Sequence, residues 1–224
     1  MRSVIHGGDI YQNEIELDFS VNINPFGIPE KVKEAMQESL ELCEHYPDIH
    51  HAKLIEKIGA YYHIPEEHIL CGNGASELFV AIVHATKPRK IVIPVPSFYG
   101  YEKAANVTEA EISYYEMKEK DGFCLTEAFL QELQEDVDLV FLANPNNPVG
   151  NTIEDMLLEK MEIKVYPGEA DFLLLKTEHP LYEKLLRAKI LIRDCGNYRG
   201  LSKGYYRIAV KTHKENEKLI ATII

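Results

Sequence analysis

The sequence predicts an α/β protein: a parallel sheet covered by helices, followed by a smaller α+β unit. Three observations predict it. Between residues 68 and 145, short apolar runs alternate with amphipathic ones, as in a parallel sheet with helical crossovers. A Gly-rich turn, CGNGASE at 71–77, joins an apolar run to a helical pattern. After residue 162 the alternation gives way to a denser mix of strand runs and short helices.

The elements follow in order. Residues 1–28 read as an irregular arm, because LDFSVNINPFGIP is rich in Asn, Pro and Gly. EKVKEAMQESLELCEHY reads as one amphipathic helix, with Val32, Met36, Leu40 and Cys43 on one face and Pro47 ending it. HAKLIEKIGAYY is a second helix. HILCG is expected to be a short strand and ASELFVAIVHAT a helix. KIVIPVP is a buried strand, FYGYEKAAN a helix and EISYYEM a strand. LTEAFLQELQ is expected to be a helix with Thr126 as N-cap, and VDLVFLANP a strand.

Beyond the NPNNPVG turn, TIEDMLLEKM predicts a helix in which Thr152 and Asp155 resemble a capping box. EIKVYPGEADFLLLKT then predicts a strand or strand pair. PLYEKLLRAK is a helix, ILIRDCG and YYRIAVK are strands, and HKENEKLIATII is a terminal helix. The chain therefore divides into an arm (1–28), a large domain (29–162, its 29–48 helix shared with the small domain) and a C-terminal small domain (163–224).

Charge and composition exclude several classes. The formal net charge is −12 and no Lys/Arg cluster interrupts it, which disfavours nucleic acid and anionic membrane surfaces as partners. The longest wholly apolar run, 78–83, is far too short to span a bilayer. The first residues carry no signal-peptide pattern, so a cytoplasmic protein is expected. Cys43, Cys71, Cys124 and Cys195 are widely spaced without a CxxC pair, and neither a disulfide framework nor a metal site is expected. The adjacent His50 and His51 do not face one site on a helix.

Three stretches carry chemistry. CGNGASE places unpaired helical N–H groups, two glycines and the Ser76 hydroxyl at a helix start, which suits a phosphate. It is not a dinucleotide fingerprint, since the third glycine would fall on Glu77, and no acid follows the second strand in the ribose-binding position. PVPSFYGY puts aromatics, Phe98 among them, just past a strand's C-terminal end, where open α/β sheets bind ligands. NPNNPVG offers Asn donors at the same edge. Taken singly, each stretch reads equally well as a tight turn or as ordinary packing.

Together, in this order, they resemble the fold-type-I pyridoxal-phosphate enzymes of the class I/II aminotransferase group. The likeness is to histidinol-phosphate aminotransferase and threonine-phosphate decarboxylase, over residues 1–150 and 163–224. The resemblance implies a pyridoxal-phosphate-transferase-like, three-layer large domain beside a small α+β domain built from both chain ends. It implies that Gly74, Ala75 and Ser76 hold the cofactor phosphate, that Phe98 stacks on the pyridine ring, and that Asn147 bonds the ring hydroxyl. Tyr46 would reach the cofactor of a neighbouring subunit, which favours a homodimer. Arg207 would clamp the substrate α-carboxylate, a bidentate task suited to guanidinium. Asn24 lies in the strip that closes over substrate. His6, in HGGDIY, would contact the phosphate of a small phosphorylated amino-acid-like substrate, as in the decarboxylase.

The same resemblance implies a Schiff-base lysine and an Asp paired with the pyridinium nitrogen, both beyond the NPxG turn. Here one helix and then the small-domain segment follow Gly150 directly, so the large domain is expected to be truncated and both groups missing. Asp155 is explained by helix capping and Asp171 belongs to the small-domain segment. Lys203, in GLSKGYYR, is the one substitute, but its surroundings read continuously as the small-domain ending, a surface turn. Two expectations follow. One is a family enzyme with impaired chemistry. The other is a noncatalytic remnant that binds pyridoxal phosphate, phosphate or a protein partner.

Overall fold

The computed structural model describes residues 7–153 and 170–223. The helix expected from TIEDMLLEKM, its Asp155 cap and the stretch 166–169 lie outside the described residues.

The sheet expected in the first half forms around one strand. β2 (Lys90–Val95) is central, with β3 (Glu111–Glu116) and β4 (Leu139–Val140) parallel to it on either side. Its side chains alternate between faces. Ile91, Ile93 and Val95 pack with Val83, Ala104, Ala105 and Phe141, beneath α3 (Ala75–Thr86) and α4 (Tyr99–Ala105). Val92, on the opposite face, joins Met117, Phe123, Leu125 and Phe129. Each such aliphatic side chain, fully buried, contributes roughly 1.5–3 kcal/mol. Pro94 is tolerated in a central strand because β4 pairs only with Ile91 and Val92, so the proline's missing N–H lies past that ladder.

The C-terminal half forms the small α+β unit. β5 (Phe172–Lys176), β8 (Tyr205–Ala209) and β7 (Arg193–Asp194) make an antiparallel sheet in the order β5-β8-β7. The expected ILIRDCG strand is split into β6 (Ile190–Leu191) and β7, because each half pairs with a different neighbour. α5 (Leu181–Arg187) and α6 (His213–Ile223) pack Leu181, Leu185 and Leu219 against Tyr206 and Ile208 of β8. The arm is not wholly irregular. Its β1 (Leu17–Asp18) pairs in parallel with β6, and Phe19 is buried in the same cluster. The small unit is thus built from both chain ends.

Alternation along β8 decides what faces the large sheet. Tyr206 and Ile208 point into the small unit's own core, whereas Tyr205 joins Val92, Phe123, Cys195 and Tyr198. Arg207 lies on the Tyr205 side of the strand.

Four local expectations are corrected. HILCG is not a strand; a 3₁₀ turn (Glu66–His68) leads into backbone with no ladder beside it among the described residues. The first helix is α1 (Glu30–Glu38) followed by a 3₁₀ segment (Ser39–Glu44), and neither buries a residue. LTEAFLQELQ is a 3₁₀ run (Glu127–Glu132), with Phe129 inside and no side-chain cap from Thr126. The Thr126 hydroxyl is instead 3.2 Å from the Tyr115 hydroxyl, across the sheet face. His50 and His51 precede α2 (Ala52–Tyr62) rather than sitting within it.

Candidate functional site

The NPNNPVG turn is held rigidly past the end of β4. Asn146 is buried, its main-chain N–H donates to Asn151 O at 2.8 Å, and its side-chain amide donates to Pro96 O at 3.0 Å. Asn144 Oδ1 accepts from the Ile153 N–H at 3.1 Å. Gly150, at φ +91, lies so close to β5 that a Cβ would stand 3.1 Å from Phe172 O. These contacts fix Asn147 between the sheet and the small unit.

Asn147 Oδ1 accepts a 3.0 Å hydrogen bond from Arg207 Nη1. Arg207 is buried, its Nη2 donates to Ser20 O at 2.6 Å, its guanidinium lies 5.3 Å from the Phe172 ring centroid, and its Nε has no partner. Ser20 is fixed in turn by Asp18, to whose carboxylate its hydroxyl donates at 2.6 Å. The two residues expected to meet ring and carboxylate are therefore in direct contact.

Sequence reasoning missed a second arginine. Arg193 is the register partner of Arg207 across the β7–β8 pair, and it too is buried. Its Nη1 donates to Asp194 O at 2.8 Å and its Nη2 to Asn197 Oδ1 at 3.0 Å. Among the described residues, neither arginine has a carboxylate within ion-pair distance. Buried charge normally demands a counter-charge, and like charges directly opposite on a sheet repel. The signal in the sequence is an Arg closing the apolar run Ile190-Leu191-Ile192.

Phe98 and Arg193 line one cavity of about 640 Å³, together with Glu102, Tyr114, Asn197 and Arg199. Phe98 is half-buried and meets Tyr99 edge-on, with 4.9 Å between ring centroids. The turn at Gly74, Ala75 and Ser76 is exposed and does not line this cavity. Phe79 of α3, further along the same helix, has its ring centroid 6.4 Å from that of Phe98. Gly74 has φ +76 with open space around its Cβ position, while Gly72 is pressed against Leu78. Glu77 uses its carboxylate to accept the Asn73 N–H, so one donor of the turn already faces an acid.

The other expected residues lie apart. Tyr46 is fully exposed. Asn24 is exposed and its side-chain oxygen accepts from the Phe26 N–H at 3.0 Å, closing its own turn. Lys203 is exposed in a turn and lines a separate cavity with His179, Glu183 and Asp194. His6 lies outside the described residues. Among the described residues, no group of three or more His, Cys, Asp or Glu could hold a metal ion. No helix among them is long and apolar enough to cross a membrane.

A parallel sheet with aromatic and Asn-bearing loops past its strand ends, beside an antiparallel unit carrying buried arginines, defines a class of α/β transferase fold. The chain belongs to the aminotransferase class I and II family, whose sequence model matches residues 14–164. It is 26% identical to the threonine-phosphate decarboxylase of Salmonella typhimurium over 346 aligned residues, covering 97% of this chain and 95% of that protein. It is 32% identical to histidinol-phosphate aminotransferase 1 of Mannheimia succiniciproducens over 190 residues, or 82% of this chain and 51% of that protein. This second match thus spans only about half of the relative's length. The fold matches the histidinol-phosphate aminotransferase of Clostridium acetobutylicum with a TM-score of 0.81 at 21% identity, over 92% of this chain and 98% of that one.

Proposed function

We propose that this chain is a relative of the pyridoxal-phosphate-dependent aminotransferases and decarboxylases that binds a phosphorylated amino-acid-like ligand, with its chemistry impaired. The observation that carries the reading is the Arg193–Arg207 pair: two buried guanidiniums, opposite one another, with no acid between them among the described residues. Such an arrangement is stabilised by a ligand bearing two anionic groups. Arg207, braced by Asn147 and Ser20, suits a carboxylate, and Arg193, beside the Phe98 cavity, suits a phosphate. The names of the relatives agree with such a ligand.

The contacts for the cofactor fit in part. Arg207 occupies Asn147 Oδ1 and leaves the Nδ2 amide to donate to a ring oxygen, Phe98 offers a face, and the α3 N-terminus offers N–H groups to a phosphate. Bound in such a site, pyridoxal phosphate supplies an electron sink for charge released at the substrate α carbon. The groups that would work with it do not fit. No lysine or carboxylate among the described residues is hydrogen-bonded or ion-paired to the side chain of Asn147 or Arg207, so no proton-transfer step is assigned to this chain. The alignment with the decarboxylase spans 346 positions, more than the 224 residues here, so part of the relative has no counterpart in this chain, in keeping with a truncated large domain. We place the arm at 1–28, the truncated cofactor domain at 29–162 and the small domain at 163–224. A cytoplasmic homodimer, with the exposed Tyr46 reaching a neighbouring site, completes the reading.

The test is calorimetric titration with O-phosphothreonine. Arg207→Met should weaken binding about 10- to 100-fold, the equivalent of losing charge-assisted bonds worth about 1.5–3 kcal/mol. Unchanged affinity would remove Arg207 from the site.

A further inference from the structure

The loop between β7 and β8 holds both side-chain partners of Arg193. Asn197 accepts from its Nη2, and the Tyr198 ring centroid lies 5.1 Å from its guanidinium carbon. The next residue, Arg199, reaches away from this loop to the large sheet. Its Nη2 donates to Glu102 Oε1 of α4 at 2.8 Å, and its guanidinium carbon stands 3.9 Å from the centroid of Tyr114 on β3. Gly200, at φ +82, brings the loop backbone against β2, where a Cβ would lie 3.2 Å from Pro96 N. The loop is thus seated on three pieces of the large sheet unit; Tyr198 and Leu201 pack into the shared core, and Arg199 supplies the ion pair to α4.

We propose that Arg199 is a positioning residue, which through the Glu102 and Tyr114 contacts holds Asn197 and Tyr198 where they aim Arg193 at the phosphate of the ligand. The inference rests on the ligand reading given above. Arg193 is buried with no carboxylate to orient it among the described residues, so Asn197 and Tyr198, beside the Asp194 carbonyl, set its direction. Tyr198 is already held in the shared core and by its N–H, which donates to Cys195 O at 3.0 Å, whereas Asn197 is exposed and depends on the pinned turn that follows. A planar guanidinium can pair with a carboxylate and stack on an aromatic face at once, which a lysine cannot reproduce.

The competing role is direct: Arg199 also lines the cavity and could itself meet the anion. The two roles predict opposite signs for Glu102→Gln. If Arg199 bound the phosphate, removing its acid would free the guanidinium and tighten or preserve binding. If Arg199 positions the loop, the same change loosens it and weakens binding. The whole chain is titrated with O-phosphothreonine and with threonine, in the unaltered form and as Arg193→Met, Arg199→Met and Glu102→Gln. Near-ultraviolet circular dichroism checks the fold.

Arg193→Met is expected to reduce phosphothreonine affinity to that of threonine. Arg199→Met and Glu102→Gln should each weaken phosphothreonine binding by about two- to fivefold, the range of a partly exposed ion pair, and leave threonine unaffected. Glu102→Gln keeps the test decisive if Arg199→Met unfolds the chain. Should Arg193→Met lose the phosphate preference while Glu102→Gln binds as well as or better than the unaltered chain, the positioning role falls and the ligand reading stands. Should the unaltered chain fail to prefer phosphothreonine over threonine, the ligand reading falls and takes this inference with it.

Discussion

Arg207 and Asn147 illustrate how far single residues could be read. Both stand in short motifs, YYRIAV and NPVG, and the structure joins them by one hydrogen bond. Arg193 was less legible, because its importance comes from lying opposite Arg207, and strand register between distant segments leaves no local mark. Cys195 gives a separate test at this scale. Burial pushes its thiol up from 9.0 to about 12, so the folded state holds the proton more tightly than the unfolded one. Its stabilising contribution is complete below the ordinary thiol value and is lost as pH rises from there through about 12. A Cys195→Ala variant should therefore show a shallower loss of stability over that alkaline range than the unaltered chain. In the native protein near pH 8, a thiol reagent should label the exposed Cys43 at once and Cys195 only on unfolding. Rapid native labelling of Cys195 would contradict the burial.

Among the elements, the buried central strand was the most legible. KIVIPV forms the central strand because it is apolar on both faces. HILCG was misread because an apolar run becomes a strand only where a neighbour offers a ladder. α1 and the 3₁₀ segment after it were misread in the opposite sense: the periodicity is real, but Val32, Met36 and Leu40 are about half or more exposed (46%, 57% and 67%). A helical stripe predicts a buried face, and the sequence does not say what covers it. One cap went unnoticed. Thr212 and Glu215 form a reciprocal capping box at the start of α6, with the Thr212 N–H donating to the Glu215 carboxylate at 3.1 Å and the Glu215 N–H to the Thr212 hydroxyl at 3.5 Å. Thr212→Ala should lower unfolding stability by about 1 kcal/mol, measured by urea denaturation. A change within error would show that α6 is held by its packing and its other hydrogen bonds rather than by this cap.

For the whole molecule, exposed apolar surface and exposed arm belong together. Ile23, Phe26, Met36, Leu40, Tyr46 and Ile49 are all exposed along the first part of the chain, more than a monomer ordinarily leaves uncovered in one region. The homodimer reading predicts self-association in sedimentation velocity, reduced by the double change Met36→Glu and Leu40→Glu. A monomer at every concentration would contradict it. The two units share a core in which Val92 and Phe123 meet Cys195, Tyr198 and Tyr205, and the Asn147–Arg207 hydrogen bond joins them beside it.

The central claim is that this chain keeps ligand contacts of its family without the lysine that would hold pyridoxal phosphate covalently. It is tested by incubating the chain with pyridoxal phosphate, reducing with borohydride and mapping the adduct by peptide mass spectrometry. The expected result is cofactor that is released on denaturation and only scattered, substoichiometric labelling of surface lysines. A stoichiometric adduct on a single lysine, whether Lys203, Lys103 at the Phe98 cavity or another, would contradict it.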